Sequence, residues 1–327
     1  MNMKVSILGG SGFVGSSLIN ILEKEKMDYL VLDKKSTDKN FCFADVTKPE
    51  TLDVVDDSDL IINLAAVHRD DIKPISLYDE INVEGAKNIC NLADKKNIKK
   101  IIFTSSVAVY GFAPGDTSED GEFNFYNDYG RTKYLAEQIF KKWQLSDPKN
   151  KSLVIIRPTV IFGEGNRGNV FNLLNQIASK KFIMFGSGKN LKSMAYVENV
   201  AGFIRYCFKY DSGIHIYNYV DKPDLSMKEL VGFTRKFLFN KQTLGLRFPK
   251  FLGLFAGLIF DVISFFLNKN LSISRIRVRK FFSNSQFSTS VSKTSYKAKF
   301  SLLDGLERTL EYEFLKNNKD KKVFLTE

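Results

Sequence analysis

The stretch Gly9-Gly10-Ser11-Gly12-Phe13-Val14-Gly15 lies between a short apolar run, Lys4–Leu8, and a segment of helical spacing, Val14–Lys24. Glycine at positions 9, 12 and 15 allows a tight backbone turn, a close approach to a pyrophosphate group and close packing of the helix on the strand. The amino-terminal end of the helix then faces the negative charge of the phosphates. Glycine turns alone are common, but this position between strand and helix predicts a dinucleotide-binding site.

Short apolar runs and helical patterns alternate through the first half of the chain. The runs that predict buried strands are Lys4–Leu8, Tyr29–Leu32, Phe41–Phe43, Leu60–Leu64, Lys100–Thr104 and Leu153–Ile156. The segments of helical spacing are Val14–Lys24, Leu77–Asp94 and Tyr129–Trp143. This alternation predicts an α/β fold, a Rossmann-type doubly wound parallel sheet with helices on both faces. The pattern becomes less regular after Arg157-Pro158, which predicts a smaller C-terminal α/β lobe.

The overall composition is that of a globular protein. The chain has 327 residues, of which 44% are hydrophobic and 26% are charged, and this balance excludes wholesale disorder. Cys42, Cys90 and Cys207 lie far apart and form neither a disulfide framework nor a metal knuckle, so we expect a reducing compartment. With only two histidines we expect no metal site. The N-terminus runs directly into a strand-like segment, so we expect no signal peptide.

Positive charge is concentrated towards the C-terminal end. The formal net charge is +11, and residues 241–303 hold eleven lysines and arginines against one acid, Asp261. Such a segment favours nucleic acid, anionic lipid or a phosphorylated ligand, and the alternative is a solvated surface. We expect no nucleic-acid partner, because the segment contains no recognised reading module and its neighbour 248–267 is apolar.

An acidic residue at the end of the second predicted strand indicates which dinucleotide is bound. Asp33 lies 18 residues after Gly15. A carboxylate there accepts hydrogen bonds from a ribose diol and repels a 2′-phosphate, so the sequence favours NAD over NADP. The alternative is a helix or turn cap. Weaker cofactor candidates follow the third and fourth strands: Asp45 and Val46 to flank the adenine, and Leu64, Ala65 and Ala66 where the fourth strand meets the cofactor.

The candidate catalytic residues follow the fifth predicted strand and open a predicted helix. Tyr129 and Lys133 are four residues apart and therefore share a helical face. A phenol has a pKa near ~10, and a nearby ammonium favours the phenolate. Tyr129 is therefore predicted to take a hydroxyl proton from a substrate while hydride leaves the same carbon for NAD, with Ser106 holding that hydroxyl. The alternative is a surface Tyr–Lys pair.

Taken together, these motifs resemble the extended short-chain dehydrogenase/reductase family, and within it the NAD-dependent sugar 4-epimerases. The residues that carry the resemblance are Gly9–Gly15, Asp33, Leu64-Ala65-Ala66, Asn82, Thr104-Ser105-Ser106-Val107-Ala108-Val109-Tyr110-Gly111, Tyr129-x-x-x-Lys133 and Arg157-Pro158. The resemblance implies catalytic roles for Tyr129, Lys133 and Ser106. It implies NAD contacts from Gly9, Gly12, Phe13, Val14, Gly15, Asp33, Asp45, Val46, Leu64, Ala65, Ala66, Asn82, Ser105, Tyr129, Lys133 and Pro158.

The same resemblance implies a domain organisation. It places an NAD-binding domain over residues 1–165, to which 192–220 returns, and a substrate-binding lobe over 166–191 and 221–327. It also implies a homodimer through the helices near Gly85–Asp94 and Tyr129–Trp143.

The residues after Ser106 help to define the reaction. Related sugar dehydratases and decarboxylases carry acids where this chain has Val107 and Ala108. These two side chains cannot provide the acid–base pair that an elimination needs, so redox chemistry at C4 remains. Because Asp33 argues against an NADP-consuming reductase, we expect epimerisation through a transient 4-keto sugar with NAD regenerated in each cycle.

Departures from the soluble UDP-sugar epimerases bear on the substrate carrier. Those enzymes usually carry Arg-Asp where this chain has Lys192-Ser193, and an Asn that touches the nucleotide diphosphate is replaced by Val160. Residues 248–267 have a wide apolar face flanked by basic residues, which predicts a helix in the membrane interface. A buried helix of the substrate lobe is the alternative.

Four segments carry a narrower resemblance: Ala65–Asp71, Arg157–Val170, Lys192–Val197 and Tyr217–Leu225. Through them nearly the full chain resembles bacterial 4-epimerases of N-acetylglucosamine linked to undecaprenyl diphosphate. This implies a lipid-linked sugar diphosphate as substrate, a role in surface polysaccharide (O-antigen) synthesis, and a cytoplasmic enzyme peripherally associated with the inner face of the cell membrane. The alternatives are a soluble UDP-GlcNAc or UDP-Glc 4-epimerase and a non-catalytic NAD-binding protein that docks on membranes.

Nine residues, all but Val107 polar or basic, are weaker candidates for substrate binding. They are His68, Arg69, Val107, Asn166, Arg167, Asn169, Lys192, Arg275 and Arg277. For His68 the alternative is local hydrogen bonding. For the loop with Asn166 and Arg167 it is solvation, and for Arg275 and Arg277 it is binding of lipid headgroups.

Overall fold

A seven-stranded parallel sheet forms the centre of the molecule. The computed structural model describes residues 3–35, 40–56, 58–69, 72–241, 243–249, 251–252, 283–316 and 322–324. The sheet strands are β1 Lys4–Leu8, β2 Asp28–Asp33, β3 Phe41–Phe43, β4 Leu60–Asn63, β5 Lys100–Thr104, β6 Ser152–Pro158 and β11 Gly213–Tyr219. Their order is β11-β6-β5-β4-β1-β2-β3, with every neighbouring pair parallel. The α/β, Rossmann-type prediction is confirmed.

Helices and short strand pairs complete the described part of the chain. The α-helices are α1 Phe13–Lys24, α2 Ser76–Tyr78, α3 Gly85–Lys95, α4 Asp128–Leu145, α5 Asn169–Ala178, α6 Val197–Tyr206, α7 Met227–Phe239 and α8 Leu302–Leu310. The remaining strands are β7 Val160–Phe162, β8 Ile183–Phe185, β9 Leu191–Lys192, β10 Met194–Tyr196, β12 Leu225–Ser226 and β13 Leu246–Phe248. The 3₁₀ turns are Pro49–Leu52, Val107–Tyr110, Cys207–Lys209 and Ser290–Lys293, and the π-helical turns are Asp79–Glu84 and Glu311–Leu315.

Two apolar layers cover the faces of the sheet. On one face α1 and α6 pack on the strands, and Leu18 and Phe203 are fully buried there. On the other face α3 and α4 pack on the strands through residues such as Ile89 and Phe140. Burial on both faces explains why these strands read as continuous apolar runs in the sequence.

A third apolar cluster lies among the C-terminal elements. Leu174 of α5, Leu230 of α7 and Leu306 of α8 pack there with Tyr196 at the end of β10. The segment around Ser290 returns to the sheet edge, where the Glu119 carboxylate accepts hydrogen bonds from the Ser290 N–H (2.8 Å) and hydroxyl (2.7 Å) and from the Asn218 N–H (2.9 Å).

Two predictions of local structure differ from the described structure or fall largely outside it. The predicted helix Leu77–Asp94 is divided by the π-helical turn Asp79–Glu84. Most of the predicted interface helix 248–267 lies outside the described residues. In the part of the chain that the structure describes, no helix is long and apolar enough to cross a membrane.

Candidate active site

The site lies where the strand order reverses, between β1 and β4. In open α/β sheets the crevice at the carboxyl ends of the strands at such a point is where ligands bind. Gly9 follows β1 with φ +73°, and a Cβ placed on it would lie 2.6 Å from the backbone nitrogen of Ala65, which follows β4. The two strand ends therefore meet so closely that only glycine fits at position 9.

The glycine loop leads into a helix start whose first N–H groups can meet an anion. Gly12 is the N-cap of α1, and no side chain caps that helix end. A Cβ on Gly15 would lie 2.2 Å from the Gly10 carbonyl oxygen, so a side chain there would force the loop and the helix apart. An uncapped helix N-terminus beside a glycine turn fits the pyrophosphate of a dinucleotide.

Asp33 is fixed beside that loop. Its Oδ2 accepts a hydrogen bond from the Ser11 N–H at 3.0 Å, and its Oδ1 accepts one from the Lys34 N–H at 2.7 Å. These two bonds orient the carboxylate at the end of β2. The arrangement suits a ribose diol at the same edge of the sheet as the glycine loop.

The other predicted cofactor residues lie around this crevice with differing partners. Leu64, Ala65 and Ala66 follow β4 and are half-buried. Asp45 forms a turn with Thr47, accepting bonds from its N–H (3.0 Å) and hydroxyl (2.8 Å), and lies 3.1 Å from the Lys34 ammonium. Despite burial, which opposes ionisation, these hydrogen bonds keep the pKa of Asp45 below its ordinary value. Their contacts with a cofactor stay predictions.

Tyr129 and Lys133 lie one helical turn apart near the start of α4. The N-cap of this helix is Asn127, whose side chain accepts a hydrogen bond from the Gly130 N–H at 2.9 Å. A Cβ on Gly130 would lie 2.5 Å from the Ala108 carbonyl oxygen, so the helix start is pressed against the turn that follows Ser106. This close approach brings Ser106, Tyr129 and Lys133 to the same end of the sheet.

Lys133 is enclosed by protein. Its side chain is 2% exposed, its Nζ donates to the Thr104 carbonyl at 2.8 Å, and it lies 4.8 Å from the centroid of the Phe103 ring. Burial lowers the pKa of Lys133 to about 7, although the charge of Glu137 opposes the shift. The amine is therefore held in one place, and its charged form is less favourable than that of an exposed lysine.

Ser105 and Ser106 face different surroundings, as successive residues of an extended chain must. The Ser106 hydroxyl accepts from the Ala108 N–H at 3.1 Å and is half-buried. The Ser105 hydroxyl donates to Glu137 at 2.6 Å inside the core. Its predicted contact with NAD therefore stays untested, and its partner in this structure is a buried carboxylate.

The Glu137 carboxylate belongs to a buried ion pair that the sequence analysis missed. Glu137 and Arg157 are 0% and 1% exposed, and Arg157 donates to both carboxylate oxygens, at 2.8 and 2.6 Å. Arg157 also donates to the Tyr110 hydroxyl at 2.6 Å. One signal was available: Glu137 follows Tyr129 and Lys133 at a second four-residue step, and an arginine inside an apolar strand requires a partner.

His68 and Asn82 border the site from the other side. The His68 residue is exposed overall, but desolvation by the protein packed around its ring and the nearby charge of Lys133 hold its pKa below the ordinary value. The Asn82 side chain is buried, accepts from the Val67 N–H (3.0 Å), and donates to the Val67 carbonyl (3.1 Å) and to Thr132 (2.9 Å). Asn82 thus joins the loop after β4 to α4, and its predicted NAD contact stays untested. Pro158 is buried at the end of β6.

Four of the predicted substrate residues have protein partners or form local structure. Asn166 accepts from the Gly168 N–H at 2.7 Å, and Arg167 pairs with Glu313 at 2.9 Å. Asn169 begins α5. The Lys192 ammonium donates to the Ser283 carbonyl at 2.8 Å, and burial lowers its pKa to about 8.

The other substrate candidates lie in two separate loops or outside the described residues. Val107 opens the turn after Ser106, and Arg69 follows His68. Arg275 and Arg277 lie outside the described residues.

A glycine loop at the reversal of strand order, with a Tyr–Lys pair on the helix that borders the same edge, defines a dinucleotide-dependent redox enzyme on a Rossmann-type sheet. Residues 5–219 match the model of the NAD dependent epimerase/dehydratase family. The chain belongs to this family, and its cofactor is NAD.

Known proteins resemble the chain over different lengths. The N-acetyl-alpha-D-glucosaminyl-diphospho-ditrans,octacis-undecaprenol 4-epimerase of Escherichia coli O157:H7 is 43% identical over an alignment of 335 positions that covers all of both chains. The UDP-glucose 4-epimerase of Vibrio cholerae is 27% identical and is aligned with 71% of this chain and 74% of its own.

Solved structures agree with the fold. The UDP-N-acetylglucosamine 4-epimerase of Bacillus cereus superposes with a TM-score of 0.75 at 16% identity, covering 94% of this chain and 98% of its own. The UDP-glucuronic acid 4-epimerase of the same organism, in complex with UDP-glucuronic acid and NAD, gives a TM-score of 0.72 at 20% identity over 95% and 98%.

Proposed function

We propose that the chain is a 4-epimerase that interconverts N-acetylglucosamine and N-acetylgalactosamine carried on undecaprenyl diphosphate, for surface polysaccharide (O-antigen) synthesis. The observation that carries this proposal is the 43% identity along the whole length of an epimerase named for that lipid-linked sugar. The Tyr129–Lys133 pair beside the glycine loop supports the chemistry.

The glycine loop, the start of α1 and Asp33 are the parts of the chain that would hold NAD. The tight packing at Gly9 and Gly15 holds the loop against the start of α1, whose first N–H groups would bind the pyrophosphate, and Asp33 would accept hydrogen bonds from the ribose. When bound, NAD supplies reversible hydride transfer at a carbinol carbon.

The chain's own residues move and hold the proton. The Tyr129 phenolic oxygen takes the proton of the sugar 4-hydroxyl. It returns the proton after the 4-keto sugar has rotated in the site and presents its other face. The Lys133 ammonium, fixed on the Thr104 carbonyl, favours the phenolate at Tyr129. The Ser106 hydroxyl accepts from Ala108 and keeps its own proton for the substrate oxygen.

A lipid-linked substrate implies a location. We propose that the enzyme is a homodimer and works in the cytoplasm, peripherally on the inner face of the cell membrane. There the sugar diphosphate projects from the bilayer, and the excess of basic residues at positions 241–303 favours anionic headgroups.

The test is a comparison of two substrates. Purified protein is incubated with N-acetylglucosamine-diphospho-undecaprenol in detergent and, separately, with UDP-N-acetylglucosamine, and the released sugars are identified. We expect epimerisation of the lipid-linked sugar. Turnover of the nucleotide sugar alone would instead establish a soluble UDP-sugar epimerase.

A further inference from the structure

A cationic cavity lies away from the residues of the candidate active site. It is formed where α5 runs into β8 and where α7 runs towards β13, and its volume is about 440 Å³. The residues that line it are Lys180, Phe182, Arg235, Phe239, Lys241, Gly245 and Leu246. None of them belongs to the glycine loop, to α4 or to the turn after Ser106.

The charges of this cavity lack acidic neighbours along the chain. The sequence contains no Asp or Glu at positions 165–197 or 230–260, which include every lining residue. Among the described residues, Lys180, Arg235 and Lys241 form no ion pair, and the buried Arg235 Nε has no hydrogen-bond acceptor. Three cations held together without a carboxylate favour an anionic ligand.

The rim of the cavity is an exposed apolar edge. β13 pairs with β8, with Leu246 opposite Ile183 and Phe248 opposite Phe185. Leu246 is 66% exposed and Phe248 40%, and Phe251 beyond them is 65% exposed. We name the exposed side chains of Ile183, Leu246, Phe248, Phe251 and Leu252 the apolar edge.

Cations directly beside exposed Leu and Phe side chains match a bilayer surface, where phosphates lie above the acyl chains. The chain leaves the described part at Leu252 and returns at Ser283. The sequence between these points combines apolar residues with five further cations: Lys269, Arg275, Arg277, Arg279 and Lys280. The same chemistry therefore continues along the chain from the apolar edge.

We propose that the cavity binds the phosphate of an anionic phospholipid headgroup while the apolar edge lies at the acyl boundary of the bilayer. This deepens the membrane location proposed above, but it rests on the charge and exposure of described residues and needs no lipid-linked sugar. Lys180 and Lys241 attract the phosphate by their charge, and Arg235 donates hydrogen bonds to it. Leu246 and Phe248 make the apolar contact with the acyl boundary.

The test is flotation with vesicles of phosphatidylcholine, with and without phosphatidylglycerol, and without any lipid-linked sugar. The variant Lys180→Gln/Lys241→Gln/Leu246→Ser is compared with Lys24→Gln/Lys48→Gln/Val54→Ser, which removes two exposed lysines and one exposed apolar side chain elsewhere. We expect wild type and control to float with anionic vesicles only. We expect the cavity variant to partition at least roughly thirtyfold more weakly, from the loss of two cations near anionic lipid.

Thermal stabilisation by NAD confirms that each variant is folded, and epimerase activity in detergent is measured separately. Unchanged flotation of the cavity variant, or equal flotation with both vesicle types, overturns the proposal. The cations would then only stabilise the helix dipoles at the carboxyl ends of α5 and α7. Absence of epimerase activity with intact anionic flotation would count against the proposed function alone.

Discussion

The Tyr129 hydroxyl is the one group whose removal should abolish proton transfer without changing packing. For Tyr129→Phe we expect kcat to fall on the order of 10²- to 10⁴-fold, the range for loss of a general acid–base group, with NAD binding retained. The measurement is turnover of the lipid-linked sugar together with NAD titration. Tyr134→Phe, the same change on the same helix, is the control, because that ring contacts Phe123 and carries no role in the mechanism. Comparable activity of Tyr129→Phe and wild type would exclude the proposed mechanism.

Glu137 and Arg157 form an ion pair that is fully buried, so each charge depends on the other for compensation. Replacing one partner leaves the other charge uncompensated, so we expect Glu137→Gln to lower the free energy of unfolding by about 3–5 kcal/mol. Urea unfolding measures the loss. Glu84→Gln, which breaks the exposed pair with Lys87, should stay close to wild type. A small effect of Glu137→Gln would mean that the buried pair adds little to stability.

At the scale of elements, strands were easier to predict than helix irregularities. Strands β1 and β5 have the bounds expected from their apolar runs, because strands buried on both faces admit few polar residues. The edge strand β3 also has its expected bounds, although it is only partly buried. The π-helical turn Asp79–Glu84 was not predicted. It coincides with Asn82, whose partners Val67 and Thr132 lie 15 and 50 residues away in the chain. Local periodicity carries no information on such contacts.

Asn82 therefore serves to test a connection between elements. Asn82→Ala leaves the Val67 N–H and carbonyl without their side-chain partner, so we expect a loss of about 1–3 kcal/mol in unfolding free energy. Asn88→Ala, which removes a single bond to the Val46 carbonyl, is the control and should cost less. Titration with NAD separates the two roles: a large loss of NAD affinity at unchanged stability would favour the cofactor contact instead.

For the whole molecule, the sequence predicted the sheet and the position of the Tyr–Lys pair but not the C-terminal contacts. Arg167 was predicted to be a substrate residue in a polar loop, yet it pairs with Glu313, 146 residues further along the chain. The Glu137–Arg157 pair was also missed, although the four-residue step to Glu137 and the arginine inside an apolar strand were visible in the sequence. Pairs between residues far apart in the chain depend on which surfaces the fold brings together. Local patterns in a single sequence do not show which surfaces those are.

Lys133 gives the molecule a pH dependence whose sign follows from its pKa. Burial lowers the pKa to about 7 from an ordinary value of 10.5. Between these values the unfolded chain holds a proton that the folded chain releases, so the free energy of unfolding rises with pH. Below pH 7 the lysine is charged in both states and its desolvation penalty is fully present. Urea unfolding without NAD should show that Lys133→Met lacks this rise between pH 7 and pH 10.5; equal pH slopes would argue against it.

The two hydrogen bonds from Ser290 to Glu119 bear on whether part of the chain can fold without the rest. The family match ends at Tyr219, which invites truncation of the gene at that point. Such a fragment would strip Glu119 of both hydrogen bonds from Ser290 and uncover the Phe203 ring on which Tyr296 packs. Residues 1–219 are therefore not a detachable module, and their production alone should yield insoluble protein.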